Sequence, residues 1–205
     1  MEHPCDIVLL AAGSSSRLGG PKQLLMYKEH TLLQHSIQIA LASLANRVIV
    51  VLGANAGIIG TGITKKDDRL TCITNDQWQE GLASSIRCGL QYLVSQKPAP
   101  QNVLFMVCDQ PYINTVLLNK LITLQRQTGH SIVASKYAKT AGIPAIFSRD
   151  LFPELLQLTG DKGARKLIEQ QKEAVTTVAF PLGTIDIDTM EDYESLQKKA
   201  SRNDY

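Results

Sequence analysis

Short runs of apolar residues alternate along the chain with segments whose apolar residues recur at every third or fourth position. The runs predict strands at residues 7–12, 48–52, 70–74, 103–108, 131–135 and 143–147. The helical spacing predicts helices at 33–44, 82–94 and 117–124. Strands that alternate with helices typically form a parallel sheet with helices on both faces. The pattern therefore predicts a three-layer α/β fold with a mostly parallel central sheet, in one domain over residues 1–205.

A further helix is predicted to begin near residue 189. Thr189 and Asp192 have the spacing of a helix-start signal, in which each side chain bonds the backbone N–H of the other residue. Met190, Tyr193 and Leu196 follow at helical spacing, so we expect them to face the core.

The composition limits the classes of partner. Of the 205 residues, 44% are hydrophobic and 20% are charged, and the formal net charge is +2. Such a small charge gives no general attraction to nucleic acid or to an anionic membrane, so we expect neither as a partner. No apolar run approaches the roughly 20 residues of a membrane-spanning helix, and no signal peptide is recognisable. The four cysteines lack metal-ligand spacing, which favours reduced thiols and a cytoplasmic location.

A loop of small residues follows the first predicted strand. It contains Gly13, Ser14, Ser15 and Ser16. Such residues leave backbone N–H groups accessible, and groups arranged in this way bind phosphate. Arg17 and Lys22 add two cations that suit a polyphosphate better than a single phosphate. The alternative is a solvated turn with two ordinary cations, since the spacing matches neither GxxxxGK[ST] nor GxGxxG.

Acidic residues follow two later segments that we expect to be strands. Asp109 comes directly after the strand predicted to be buried on both faces, where it would suit Mg²⁺, which takes one or two carboxylates plus substrate phosphates. Asp186 and Asp188 alternate around Ile187, so a strand would project both carboxylates to one face, towards a metal or a polar substrate. The alternatives are a turn cap for Asp109 and a helix N-cap for Asp188.

Glycine also occurs at position 81 and in the stretch 53–62. Gly81 precedes a helix whose first turn contains Ser84 and Ser85, and these groups could contact a base or a sugar hydroxyl. The alternative is a plain helix start. The stretch 53–62 is also rich in glycine, but its spacing is GxxxGxxGxG, so we interpret its glycines as loop residues and not as a dinucleotide site.

The motifs, taken in order, resemble a known family. LLAAGSSSRLGGPK is similar to the LAAGxSxRMGxxK signature of nucleotidyltransferases with the MobA-like NTP transferase fold. EGLASSI, DQP, GIPAIF, GDKGAR and DIDTMEDY follow in the order of the molybdenum cofactor cytidylyltransferase branch. The resemblance spans nearly the whole chain. It implies a Rossmann-like nucleotidyltransferase fold, Mg²⁺ as cofactor, and transfer of CMP from CTP to molybdopterin. It also makes a molybdoenzyme maturation partner plausible, and we expect a monomer or a weak homo-oligomer.

The same resemblance implies roles for individual residues. The nucleotide would be bound by Ala11, Ala12, Gly13, Ser14, Ser15, Ser16, Arg17, Lys22, Gly81 and Ser85. The catalytic residues would be Arg17, Lys22 and Asp109, and the metal ligands would be Asp109 and Asp188. The acceptor would be bound by Gly142, Pro144, Lys162 and Asp186.

The sequence departs from the family pattern at three places. Leu18 replaces the usual Met, the Gly-Gly-Pro run at 19–21 is stiffer than many family loops, and Ile143 stands where the cytidylyltransferases commonly have His. The last change removes an imidazole that could contact the acceptor. A sugar phosphate, a methylerythritol phosphate or another small phosphate or alcohol therefore stays open as acceptor. The methyl of Ala12 narrows the space beside the base, which favours CTP over GTP.

The predicted reaction is an in-line attack by a phosphate oxygen of the acceptor on the α-phosphorus of CTP, with release of pyrophosphate. The attacking phosphate is already anionic, so positioning and charge neutralisation suffice and no protein nucleophile is needed. Two other classes of protein fit the sequence less well. An NAD(P)-dependent oxidoreductase is disfavoured by the lack of GxGxxG. A non-catalytic nucleotide sensor is disfavoured by the presence of Arg17, Lys22 and Asp109.

Overall fold

The computed structural model describes residues 5–63, 67–161, 163–171 and 174–201. Its strands are β1 (Cys5–Ala11), β2 (Met26–Tyr27), β3 (His30–Thr31), β4 (Val48–Leu52), β5 (Leu70–Thr74), β6 (Asn102–Val107), β7 (Ile132–Tyr137), β8 (Thr140–Ser148) and β9 (Val175–Ala179). Its α-helices are α1 (Leu32–Leu41), α2 (Ala56–Thr61), α3 (Leu82–Ser95), α4 (Thr115–Thr128), α5 (Phe152–Leu155), α6 (Arg165–Gln170) and α7 (Met190–Ser201).

The central sheet has the strand order β5-β4-β1-β6-β8-β7-β9. Strands β5, β4, β1 and β6 are mutually parallel, and β9 is parallel to β7. Strand β8 is antiparallel to both of its neighbours. The predicted mostly parallel α/β sheet is confirmed. The reversal at β8 was not predicted, and it arises because only residues 138–139 connect β7 to β8, which allows a hairpin but not a crossover.

Helices cover both faces of the sheet and form three layers. The side chains of β1 alternate between these faces, as the period of a strand requires. Ile7 and Leu9 pack into a core that includes the buried residues of α1 and α4. Val8 and Leu10 pack into a second core that includes α3, α5 and α6. Every residue of β1 is buried, which explains why its sequence is continuously apolar except at Asp6.

The C-terminal helix α7 packs on the short β2–β3 hairpin. Tyr27, Leu32, Ile187 and Leu196 form a small separate core there. The predicted helix start is confirmed, because the Asp192 carboxylate accepts the backbone N–H of Thr189 at 2.8 Å, and the Asp192 N–H bonds the Thr189 hydroxyl. The prediction that Met190 faces the core is wrong. Its side chain is exposed at the first turn, before the helix reaches the hairpin.

An ion pair at the amino end of β1 gives a test of the fold. The Asp6 carboxylate is 1% exposed, and one of its oxygens accepts two hydrogen bonds from Arg47, at 2.5 and 3.1 Å. Replacing Arg47 with Met leaves a buried charge without its partner. We expect the free energy of unfolding to fall by about 3–5 kcal/mol, measured by urea denaturation. In the matched control, Arg165→Met removes an exposed pair with Glu169, and the loss should stay below about 1 kcal/mol. Equal losses in both variants would contradict the argument.

Within the described residues, no helix combines the length and the apolar character that crossing a membrane requires.

Candidate active site

A cavity of about 330 Å³ lies at the carboxyl ends of β1 and β6. This is the edge at which parallel α/β sheets bind ligands. Of the predicted site residues, Ala11, Ala12, Gly13, Ser14, Lys22, Gly81, Ser85 and Asp109 line it. These residues come from four separate parts of the chain, and the fold brings them to one place. Ser15, Ser16 and Arg17 lie in the same loop but are not among the residues that line the cavity.

Internal hydrogen bonds fix the loop after β1. Ser15 has a left-handed backbone with φ of 56°, and its hydroxyl oxygen accepts the N–H of Lys22 at 3.0 Å. The amide of Gln23 donates to the carbonyl oxygens of Ala11 and Gly13, at 2.8 and 3.0 Å. Gln23 is 1% exposed and was missed in the sequence, because an isolated Gln after a Lys gives no periodic signal of burial. The loop is thus held in shape by its own chain before any ligand arrives.

The ammonium of Lys22 lies between two of the predicted metal ligands. Its Nζ is 2.6 Å from an oxygen of Asp109, 2.9 Å from an oxygen of Asp188 and 3.4 Å from the carbonyl oxygen of Ile187. The Lys22 side chain is only 14% exposed. Burial alone would lower its pKa, but the charge of Asp109 and the hydrogen bonds to Asp109 and Asp188 outweigh burial and raise the pKa above its usual value. Lys22 is therefore fully protonated at neutral pH.

The segment that contains Asp186 and Asp188 is not the strand that was predicted. The segment forms no strand and lies at the carboxyl end of β6, where Ile187 donates its N–H to the carbonyl oxygen of Asp109 at 2.9 Å. Burial of the Ile187 side chain holds the segment in place. Thr189 supplies the cap of α7, so Asp188 is available to Lys22. The pKa of Asp186 is raised, first by partial desolvation and then by the charge of the nearby Asp109 carboxylate.

The carboxylates of Asp109 and Asp188 offer oxygen ligands for a divalent cation. Among the described residues, no group of three or more His, Cys, Asp or Glu side chains converges as a metal site. Asp109 and Asp188 do converge, because both bond the same ammonium group. Mg²⁺ binds through one or two carboxylates and fills its remaining positions with water and substrate phosphates. This pair of carboxylates therefore fits a metal that arrives with a nucleotide.

A buried polar network lies behind Ser85, which lines the cavity. The amide of Asn75 donates to the hydroxyls of Ser84 and Ser85, at 2.8 and 3.1 Å. Gly81 begins α3 with φ of 111°, and a side chain there would overlap Asp161 and the backbone of Gly160. The geometry therefore requires glycine at 81. Asn75 was missed, since only the tertiary structure places it under the start of α3.

A second cavity of about 510 Å³ adjoins the first, and Leu82 and Asp161 line both. Of the predicted acceptor residues, Gly142 lines it. A Cβ atom at Gly142 would overlap the hydroxyl of Tyr137, which also lines the cavity, so this glycine makes room for the phenol ring. Pro144 lies buried in β8, and its carbonyl oxygen accepts the Ser135 hydroxyl at 2.7 Å. Lys162 lies outside the described residues.

The Arg17 side chain lies beside the charged cluster of Lys22, Asp109 and Asp188. Arg17 is 72% exposed, and its guanidinium is 3.9 Å from Asp188, so its side chain remains free to move towards a ligand.

The glycine-rich stretch 53–62, expected as a loop, includes the short helix α2. A Cβ atom at Gly53 would lie 2.6 Å from the Cβ of Trp78 and 2.8 Å from the Cβ of Ala12. The absence of a side chain at Gly53 therefore lets the end of β4 pack closely against Ala12 and Trp78.

A loop of small residues at the carboxyl end of a parallel strand, with a lysine–carboxylate cluster beside it, suits a nucleotide and its metal. A model of the MobA-like NTP transferase domain matches residues 7–175. The chain belongs to this family, and it is a nucleotidyltransferase.

Curated relatives carry several names. The chain is 30% identical to the nicotine blue oxidoreductase of Paenarthrobacter nicotinovorans, over 82% of this chain and 83% of that protein. It is 28% identical to the purine catabolism protein PucB of Bacillus subtilis, over 95% and 96% of the two chains. It is 22% identical to the molybdenum cofactor cytidylyltransferase of Escherichia coli, also over 95% and 96%.

Solved structures share the fold along nearly the whole chain. Rv0371c from Mycobacterium tuberculosis has 30% identity and a TM-score of 0.81, covering 97% of this chain and 99% of that one. A structure of Rv0371c in complex with manganese has 28% identity and a TM-score of 0.76, with coverage of 95% and 98%. A nucleotidyl transferase from Methanothermobacter has a TM-score of 0.79 at 20% identity, over 98% and 99%, and this likeness concerns the fold alone.

Proposed function

We propose that this nucleotidyltransferase moves CMP from CTP to the terminal phosphate of molybdopterin, with Mg²⁺ as cofactor. The observation that supports this most directly is the contact of Lys22 with both Asp109 and Asp188 at the cavity. A cation and two carboxylates at one point can accept a triphosphate together with its metal. A related structure contains manganese, which supports a divalent metal in this fold. When bound, the metal supplies charge neutralisation at the phosphates.

The protein groups have distinct tasks in this proposal. The N–H groups of the loop at 13–16 bind the triphosphate, and Lys22 moves from the carboxylates to the β- and γ-phosphates. Arg17 pairs with the same leaving group. An oxygen of the acceptor phosphate attacks the α-phosphorus, the bond from that phosphorus to the β-phosphate oxygen breaks, and the electron pair leaves with pyrophosphate. Asp109 and Asp188 would hold the metal, which would supply charge neutralisation at the phosphates.

The acceptor is assigned to the cavity of about 510 Å³ next to the nucleotide cavity. Its walls combine apolar side chains, such as Leu82 and Ile143, with two cations and two carboxylates. The cations are Arg165, which pairs with Glu169, and Lys166. A planar heterocycle that carries a phosphate suits such a surface, since the ring packs on the apolar wall and the cations attract anionic groups. The charge of Asp109 contributes to the raised pKa of Asp186, and the charge of Asp186 contributes to the raised pKa of the Tyr137 phenol in the cavity wall. Asp186 is therefore near both groups.

The names of the relatives motivate two alternatives. Two relatives are not named for the molybdenum cofactor, and two others are named molybdenum cofactor guanylyltransferases. Another phosphorylated acceptor, or GTP as donor, is therefore the first alternative. An oxidoreductase is the second, since one relative has that name. The cluster of Lys22 with two carboxylates favours nucleotidyl transfer, because hydride transfer requires neither metal-binding carboxylates nor a phosphate-binding lysine. A cytoplasmic location and a monomeric or weakly associated state complete the proposal.

The test is pyrophosphate release with Mg²⁺ and each of CTP, GTP, UTP and ATP, with and without Mo-molybdopterin. We expect release only when CTP and the pterin are both present. If GTP is the single nucleotide that supports pyrophosphate release, the donor is GTP and not CTP. Nucleotide binding without release would point to a different acceptor. Oxidation of NADH or NADPH in parallel reactions, without pyrophosphate, would replace the proposal with an oxidoreductase.

A further inference from the structure

One aromatic side chain lines the nucleotide cavity and has no part in the phosphate and metal chemistry. Among the described residues around that cavity, Trp78 alone is aromatic. It is also the single tryptophan of the 205-residue chain. Its side chain is half-buried, in a 3₁₀ turn formed by Trp78–Glu80 just before α3.

Trp78 lies at the opposite end of the cavity from the charged cluster. Its Cβ and that of Ala12 both lie close to Gly53, which directly follows β4. Asp109 and Lys22 lie at the end of β6 instead. Strands β4 and β6 flank β1 on opposite sides. A nucleotide whose phosphates lie at Lys22 and Asp109 therefore directs its base towards Trp78.

The turn that carries Trp78 is fixed from both sides. The N–H of Gln77 donates to the side chain of Asn75 at 3.0 Å, and Asn75 in turn bonds the two serines at the start of α3. Glu80 forms an ion pair with Arg87 of α3 at 2.6 Å. A turn that is already held in place loses little backbone freedom when a ligand binds.

We propose that the indole of Trp78 stacks on the nucleobase and supplies the base-binding part of the affinity. The proposal rests on the nucleotide site of the proposed function, but it does not depend on the acceptor. Stacking on an aromatic face tolerates every base, because each base has a π-face. Trp78 therefore strengthens the binding of all four nucleotides, and the choice among bases falls to its neighbours, such as the Ala12 methyl.

The single tryptophan makes the test direct. Fluorescence excited selectively in tryptophan reports on Trp78 alone, so the wild-type protein with Mg²⁺ is titrated with CTP and, separately, with inorganic triphosphate. We expect a saturable change in emission with CTP and little change with triphosphate. Calorimetry then gives affinities for Trp78→Ala and for the matched control Trp78→Phe, which keeps a ring. Trp78→Ala should lower the affinity for CTP by about tenfold to a hundredfold, and Trp78→Phe should lower it by less than about fivefold.

Triphosphate separates stacking from a structural role. Under the proposal, both variants bind triphosphate as the wild-type protein does. Unchanged CTP affinity in Trp78→Ala overturns the stacking role while leaving the nucleotide site intact. Equal weakening of CTP and triphosphate also overturns it, since the indole would then only support the loop. If the wild-type protein binds no nucleotide, the proposed function and this inference both fail. A failure to modify molybdopterin, by contrast, overturns only the acceptor.

Discussion

Asp109→Asn is expected to lower the rate of pyrophosphate release by about a thousandfold. The substitution keeps the shape of the side chain but removes a charge that contacts Lys22 at 2.6 Å and that is proposed to hold the metal. Loss of one preorganised charge at a reacting group typically costs about 10²- to 10³-fold in rate. Asp109→Ala should abolish turnover, because it removes the proposed metal ligand altogether. The measurement is kcat with saturating CTP and acceptor, together with Mn²⁺ affinity, which should fall in parallel.

The matched control for Asp109 is Asp67→Asn. Like Asp109, Asp67 is a carboxylate paired with a cation, here Arg69 at 2.8 Å, but it lies in the turn before β5 and is not among the residues that line the cavity. It should keep wild-type kcat and metal affinity. Near-normal turnover in Asp109→Asn, with a thermal midpoint close to wild type, would remove Asp109 from the metal site.

Lys22→Met is expected to change metal binding and catalysis in opposite directions. In the free protein the ammonium of Lys22 bonds the two carboxylates that are proposed to bind the metal, so it competes with the metal. Without that charge, Mn²⁺ should bind the nucleotide-free protein more tightly. Turnover should nevertheless fall by at least tenfold, which corresponds to about 1.4 kcal/mol of transition-state stabilisation, because charge on the departing pyrophosphate is no longer balanced.

The measurements for Lys22 are calorimetric titration with Mn²⁺ and the steady-state rate, each compared with Lys28→Met. Lys28 lies near the Tyr27 ring of the β2–β3 hairpin and is not among the residues that line the nucleotide cavity, so its replacement should change neither quantity. A rate loss below tenfold would exclude Lys22 as a transition-state contact. Weaker Mn²⁺ binding would contradict the competition between lysine and metal.

Much of the sheet could be predicted because burial on both faces demands continuous apolar runs. Strands β1, β4 and β6 match the predicted runs to within two residues at each end. Strand β9 was missed because it lies at the edge of the sheet, half-exposed, and contains Thr176 and Thr177, so its pattern resembles a loop. The antiparallel direction of β8 depends on a two-residue connection, and apolar periodicity carries no information about chain direction.

The candidate site was predictable from the sequence where its local sequence is unusual. A strand that ends in small residues and two cations, and an acidic residue after a buried strand, both stand out without a structure. Gln23, Asn75 and Trp78 do not stand out, because each is a single residue in an unremarkable context. Their positions follow from the packing of the segments around them.

The sequence by itself determined the α/β class, the run of small residues and cations after the first strand, and the candidate residues at each strand end. These properties are local, since they depend on the spacing of neighbouring residues. Only the tertiary structure decided which candidates meet. Lys22 and Asp188 are 166 positions apart, yet their side chains are 2.9 Å apart, because buried Ile187 and the small core under α7 hold that segment against Asp109. Packing of distant apolar residues, which no local pattern encodes, fixed the geometry of the charged cluster.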